Sequence, residues 1–336
     1  MSSQETPSFQ RVNYSIRTNK NIERKLIFDA LMRMPANFHI DQYRYLGFGS
    51  MWFVDFIFAH RLLRISSMWS MEHEKSAGRA DYNRPYDCIE IKSGTSTEVL
   101  TNMAAEHWQV PIIAWLDYDG RFDQDVRSDC EMLLTKARAG SVIIVTVNAY
   151  RNSYRTLIEP GEYNPSVSVL KELFGDALPT TNLPSDPKKD IEFSKFPGLL
   201  ASSILNLMTR SVRMCGRGSD GFPDRFVPLF SFEHNDGAPM ITVGGVVAEW
   251  RQIPELEAAL EAQADALFEG AATIKETLDL VPITIKEKLA LDRLLPADGG
   301  EFNLKFGESG IKLSIEQAQK YRRLYAHFPV FAETLV

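Results

Sequence analysis

Cysteine is scarce in this chain. Cys88, Cys130 and Cys215 are the three in 336 residues, and they stand far apart. Such spacing supplies neither a disulfide framework nor a zinc site, so a reducing cytoplasm is the expected setting. Long apolar runs are missing as well. No stretch approaches the ~20 residues that span a bilayer, and no apolar run follows a basic start, so neither a membrane partner nor a signal peptide is expected. Positive charge is not in excess: 37 Lys and Arg face 44 Asp and Glu, a formal net charge of -7. That balance does not indicate a nucleic-acid partner, although it leaves a local basic groove open. Internal repeats and low-complexity tracts are lacking too, so nothing points to a repeat architecture.

What is present is an alternation of short apolar runs and helical patterns. Apolar residues at helical spacing, Ile22, Leu26, Ile27, Leu31 and Met32, predict a helix over 21–34, stopped by Pro35. The runs "YRYLGF", "SSMWSME", "YDCIEI", "PIIAWLDYDG" and "SVIIVTVNAY" read as five strands. Between them, "MWFVDFIFAHRLL", "TSTEVLTNM" and "DQDVRSDCEMLLTKARAG" read as helices, with Gly140 as a C-cap. Apolar strands separated by helices imply a parallel sheet covered on both faces. Residues 151–195 are rich in Pro, Asn, Ser and Asp and read as an insertion with one short helix near Val167 to Phe174. The helix "FPGLLASSILNLMTRSV" follows, then two strand runs flanking Asn235-Asp236-Gly237, a hairpin signal. From Pro254 onward the pattern is mostly helical. The expected organisation is an N-terminal arm and helix over 1–38, an α/β domain over 39–250, and a helical C-terminal extension over 251–336.

The first strand runs through Gly47-Phe48-Gly49-Ser50 into its helix. Glycines there let a ligand approach backbone N–H groups at the carboxyl edge of the sheet. A dinucleotide fold would place a third glycine at position 52, where this chain has Trp52. A cofactor without a pyrophosphate tolerates that tryptophan, and a nicotinamide oxidoreductase is disfavoured. Glu72 falls at the end of the second strand, where a carboxylate can accept from both ribose hydroxyls. Asp117 and Asp119 end the fourth strand two residues apart, on one face if the strand stays extended; an Asp119-Gly120 turn is the plainer reading. Glu72-His73-Glu74 is no metal cluster, because strand neighbours point to opposite faces, and no metal is expected. Asp55 lies in the first helical turn, where it either stabilises the helix end or faces the crevice. The basic run Arg11, Arg17, Lys20, Arg24 and Lys25 reads as a solvated face, with packing over a cofactor or a phosphate as the sharper alternative. A second basic stretch, with Arg210, Arg213, Arg217 and Arg225, reads as a flexible loop or an anion site. His107, His234 and His327 show no partner by spacing.

These residues carry a resemblance. The blocks "NKNIERKLIFDAL", "YRYLGFGSMWFVDF", "WSMEHE", "IAWLDYDG", "SVIIVTVNAY" and "YRRLYAHFPVFAE" resemble a bacterial family of O-methyltransferases within the class I S-adenosylmethionine-dependent methyltransferases. The resemblance implies a Rossmann-like methyltransferase sheet, mostly parallel and ending in an antiparallel hairpin. It implies S-adenosylmethionine as cofactor, with Gly47, Phe48, Gly49 and Ser50 at its methionine part, Glu72 at its ribose and the neighbourhood of Lys92 to Gly94 at its adenine. Asp117, Tyr118 and Asp119 would then face the transferred methyl and the acceptor, with Asp117 also touching the cofactor. "DYDG" departs from the Asp-Pro-Pro-Tyr of amino-group methyltransferases of DNA. Metal-dependent relatives also carry an Asp-Asn pair after the fifth strand, and here only Asn148 is present, preceded by Val147. The expected function is methyl transfer, O-directed, to an unidentified acceptor. The alternative is a non-catalytic methyltransferase-like scaffold that binds a protein or nucleic-acid partner, the helical extension being its contact surface.

Overall fold

The computed structural model describes residues 17–159, 162–181, 183–186, 189–219, 221–267 and 273–329. Most of the expected N-terminal arm, Arg11 included, and the last residues of the "YRRLYAHFPVFAE" block lie outside the described residues. The first half of the chain runs α1 (Thr18–Met32), β1 (Arg44–Gly47), α2 (Val54–Leu63), β2 (Ser67–Glu72), α3 (Glu74–Asn83), β3 (Ile89–Ser93) and α4 (Ser96–Thr101). Next come β4 (Ile112–Arg121), α5 (Gln124–Lys136), β5 (Val142–Asn148), β6 (Thr156–Glu159), β7 (Glu162–Asn164), α6 (Ser166–Phe174) and α7 (Phe196–Met214). The remainder is β8 (Gly218–Ser219), β9 (Phe222–Pro223), β10 (Arg225–Asn235), β11 (Pro239–Ala248), α8 (Ile253–Leu267), β12 (Ile274–Leu278), α9 (Ile285–Asp292), α10 (Gly299–Glu308) and α11 (Ile315–Leu324).

Eight strands form one sheet in the order β12-β10-β11-β5-β4-β1-β2-β3. β1 to β5 pair in parallel, and β11 is antiparallel to both β5 and β10. The expected sheet with its terminal hairpin is what forms. Asn235 and Gly237 make the turn: Gly237 takes φ +115° and its N–H donates to Asn235 Oδ1, a conformation L side chains avoid. One face of the sheet is covered by α1, α2 and the C-terminal helices, the other by α4 to α7. Trp115 and Ile144 lie on the first face, Ala114 and Val145 on the second, which is why β4 and β5 read as unbroken apolar runs.

Local chemistry explains several boundaries. Thr95 caps α4 and Glu98 returns the bond to the Thr95 N–H, a complete capping box. Asp123 caps α5 through the N–H groups of Asp125 and Val126. Three expectations need correction. The helix after β1 starts at Val54 rather than Met51, because Phe53 sits in the left-handed region at φ 49°. Gly140 is not a C-cap; α5 ends at Lys136 and Gly140 lies in the following turn at φ 94°. β4 continues through Asp119-Gly120 to Arg121 with a bulge after Asp117, so no Asp-Gly turn forms. Several elements escaped the sequence reading: the short strand pairs β6–β7 and β8–β9, the short helices α3 and α10, and β12, which extends the sheet from within the supposedly helical tail. Phe302, Tyr321 and Leu324 of that tail share a core with Ile22, Phe28 and Trp115.

Candidate functional site

β1 and β2 end side by side, and their ends are tied together. The Gly49 N–H donates to Ser70 Oγ at 2.8 Å, and the Ser50 N–H to Glu72 Oε1 at 2.8 Å. Ser70 Oγ donates to the same Oε1 at 2.7 Å. Glu72 is buried at 7 % exposure. Burial raises its pKa, and the hydrogen bonds from Ser70 and Ser50 hold part of that rise back. The turn is bent by Ser50 and Phe53, both at positive φ, and closed by the Phe53 N–H on the Gly49 carbonyl at 2.8 Å. Gly49 is required by packing: a Cβ there would press into the Phe53 ring and stand 2.8 Å from Ser70 Oγ. Gly94, at the end of β3, donates its N–H to the Glu72 carbonyl at 2.9 Å, which puts it on the same sheet edge.

Across this edge, Asp117 and Asp119 of β4 line a cavity of about 100 Å³ together with Phe48, Gly49, Ser50 and Trp52 from the turn, Val54 and Asp55 from α2, and Arg24 from α1. Two of the basic residues expected on a solvated face, Lys20 and Arg24, are buried here. Lys20 is 4 % and Arg24 2 % exposed. Lys20 Nζ stands 3.0 Å from Asp117 Oδ1 and 2.9 Å from Glu23 Oε2, and Arg24 Nε 2.6 Å from Asp55 Oδ1. Each buried cation therefore meets a carboxylate, which burial demands. Burial lowers the pKa of Lys20, but Asp117 and Glu23 outweigh it and the net shift is upward. Burial raises that of Asp55 more than Arg24 depresses it. Asp55, in the first turn of α2, lines the cavity.

α1 reaches further. Glu23 Oε1 accepts from His234 Nδ1 at 3.1 Å. The Lys20 N–H and the Asn19 amide donate to the two oxygens of Asp236 at 2.8 and 3.0 Å. Asn19 also exchanges bonds with the backbone of Leu280. One helix thus fastens α2, β4, the hairpin and the tail. Sequence reasoning missed Glu23 and the partner of His234, since their separation of 211 residues leaves no spacing signal.

Tyr118, expected beside the two aspartates, points its hydroxyl elsewhere. It donates to Asp129 Oδ2 at 2.6 Å, on α5, while its ring meets Phe48 edge-on at 5.2 Å. Adjacent strand residues face opposite sides, so the placement follows from Asp117 facing α1. Asp129, 1 % exposed, also accepts from Ser96 and Thr97 at the start of α4, at 2.5 and 2.7 Å. The hydroxyl of Tyr118 therefore helps pin α4 to α5. Asp129→Asn is expected to lower unfolding free energy by about 2 kcal/mol through lost charge-assisted bonds; denaturant titration checks this, and an unchanged midpoint would refute it. In the second basic stretch Arg210 pairs with Asp176 and Arg217 with Asp224, while Arg213 and Arg225 stay exposed. No group of three or more His, Cys, Asp or Glu among the described residues is placed to hold a metal ion.

Comparison with known proteins decides the family. A family model described as "Putative O-methyltransferase" matches residues 12–336. The chain belongs to this family. No curated protein matches the sequence. Among solved structures, this O-methyltransferase family member is similar to an O-methyltransferase family protein from Burkholderia thailandensis, with 10 % identity, TM-score 0.33, and coverage of 67 % of this chain and 56 % of that one. It is also similar to the O-methyltransferase from Bacillus cereus solved with S-adenosylhomocysteine, with 16 % identity, TM-score 0.31, and coverage of 69 % and 92 %. The chain thus spans little more than half of the Burkholderia protein. Within this family member, the order 3-2-1-4-5 followed by an antiparallel strand is the class I methyltransferase arrangement expected from the resemblance. No described helix is long and apolar enough to cross a membrane.

Proposed function

We propose that this chain is an S-adenosylmethionine-dependent methyltransferase that uses the carboxyl edge of its parallel sheet, with an acceptor bearing a nucleophilic oxygen. The supporting observation is the convergence there of the Gly47–Ser50 turn, Glu72 and the Asp117–Asp119 segment. Glu72 would offer a buried carboxylate to the ribose, Gly94 would border the adenine, and Gly47, Phe48, Gly49 and Ser50 would border the methionine part beside Asp117. When bound, S-adenosylmethionine supplies an electrophilic methyl group. The chain supplies alignment and exclusion of water. Asp117, held by Lys20, orients the acceptor, and the more exposed Asp119 takes its proton. Tyr118 supports this segment through Asp129 rather than touching the acceptor. Three free thiols fit a reducing cytoplasm.

The cavity of about 100 Å³ falls short of the ~300–1,000 Å³ of ligand pockets. Its lining includes neither Glu72 nor Gly94. The same tightness favours the second reading, a non-catalytic scaffold with a protein partner on its helical tail. Calorimetric titration with S-adenosylhomocysteine separates the two. Binding by the native chain, weakened about 10- to 100-fold in Glu72→Ala with circular dichroism unchanged, is the expected result. No heat at millimolar ligand leaves the scaffold.

A further inference from the structure

We infer that Asp236, at the tip of the β10–β11 hairpin, is a positioning residue for Asp117 and acts on it through Lys20. The inference rests on the cofactor reading above and adds a residue of the hairpin to that site. The turn itself does not need an aspartate at its centre. Asn235 accepts from the Gly237 N–H, and Gly237 supplies the positive φ. The Asp236 carboxylate serves α1 instead: its two oxygens accept from the Lys20 N–H at 2.8 Å and from the Asn19 amide at 3.0 Å.

α1 needs such a partner. The first N–H groups of a helix have no acceptor within it. The N-cap residue here is Arg17, and an arginine side chain carries donors only, so it cannot accept from them. Asp236 supplies the cap from 216 positions away, and a carboxylate suits the positive end of the helix. Lys20 is thereby held at both ends. The hairpin fixes its backbone, and its Nζ stands 3.0 Å from Asp117 Oδ1 and 2.9 Å from Glu23 Oε2. The side chain is 4 % exposed and lies over the Trp115 ring at 5.1 Å. A side chain packed in this way has little room to absorb a shift of its own backbone, so the cap decides where Nζ meets Asp117. His234, on the same hairpin, holds the other oxygen of Glu23 at 3.1 Å. Both the backbone of Lys20 and its second carboxylate are therefore referred to one hairpin.

The test is a double-mutant cycle of Asp236→Ala with Asp117→Asn. It is read by titration calorimetry with S-adenosylhomocysteine and by denaturant unfolding, with Asp236→Asn as the conservative control. Asp236→Ala is expected to weaken S-adenosylhomocysteine binding about 3- to 10-fold, the size of a lost cap. Asp236→Asn keeps an acceptor oxygen and is expected to restore most of that loss. In the Asp117→Asn background the alanine substitution is expected to cost less than it does alone, in affinity and in unfolding free energy, because Lys20 no longer has the carboxylate with which Asp236 aligns it. Should Asp117→Asn bind too weakly for calorimetry, the unfolding cycle decides. Additive losses in the cycle, native affinity in Asp236→Ala, or an asparagine variant as weak as the alanine one each overturn the assignment and leave the cofactor reading standing. If the native chain binds no S-adenosylhomocysteine, the cofactor reading falls and the assignment falls with it.

Discussion

Lys20→Met is expected to destabilise the protein by about 3–5 kcal/mol, the usual cost of breaking a buried pair from one side. Lys20 is the cation shared by Glu23, which is fully buried, and Asp117. Methionine preserves the length of the side chain and removes the charge. The pH dependence tests the cause. Burial would raise the pKa of Glu23, but His234 and Lys20 together bring it well below the ordinary 4.5. A depressed carboxylate contributes stability that is present above its unfolded pKa and lost as pH falls, so the native chain weakens below about pH 4.5. In the variant that acid-side loss shrinks. Lys20 itself is shifted upward, so its own contribution is present below about 10.5 and lost only as pH rises above that. Denaturant unfolding at pH 7 and pH 3 measures the loss of stability and its acid dependence; identical losses on acidification in the two proteins would rule out this network as the origin.

Gly49→Ala comes next in size, at about 3 kcal/mol, the upper end of the cost of overpacking. The added methyl would meet the ring of Phe53 and Ser70 Oγ at 2.8 Å. Phe53 is 1 % exposed and packs edge-on against Phe56 at 5.5 Å, so it has nowhere to go. Moving the turn instead breaks the Ser50 bond to Glu72. Stability and S-adenosylhomocysteine binding are therefore expected to fall together. A variant with native stability and lost binding would show that the methyl blocks ligand alone; one with native stability and native binding would contradict the packing argument.

Much of the sheet was legible before any coordinates. The apolar runs of β4 and β5 announce a doubly covered sheet, and Asn235-Asp236-Gly237 announces the hairpin, because periodicity and turn chemistry are local. The site was legible only in part. Glu72 and the glycine turn could be placed at strand ends, but their mutual hydrogen bonds could not. Tyr118 was grouped with its neighbours by the resemblance, although strand alternation turns it to the other face. β12 hid in a helical tail because "IKETL" carries no strong alternation and is held by pairing with β10.

The amino-acid sequence by itself determined that β1 to β5, β10 and β11 become strands, where the hairpin reverses, and that carboxylates stand at strand ends. It did so because those outcomes depend on neighbours within a few residues. Only the tertiary structure decided the fate of the basic helix. Arg24 and Lys20 look solvated in one dimension; Glu23 stands three positions from Lys20, but Asp55 and Asp117, which tie the two cations to α2 and β4, lie 31 and 97 positions away. Whether a charge is buried depends on what the fold brings to meet it, and electrostatic pairing across such distances leaves no periodic trace in the chain.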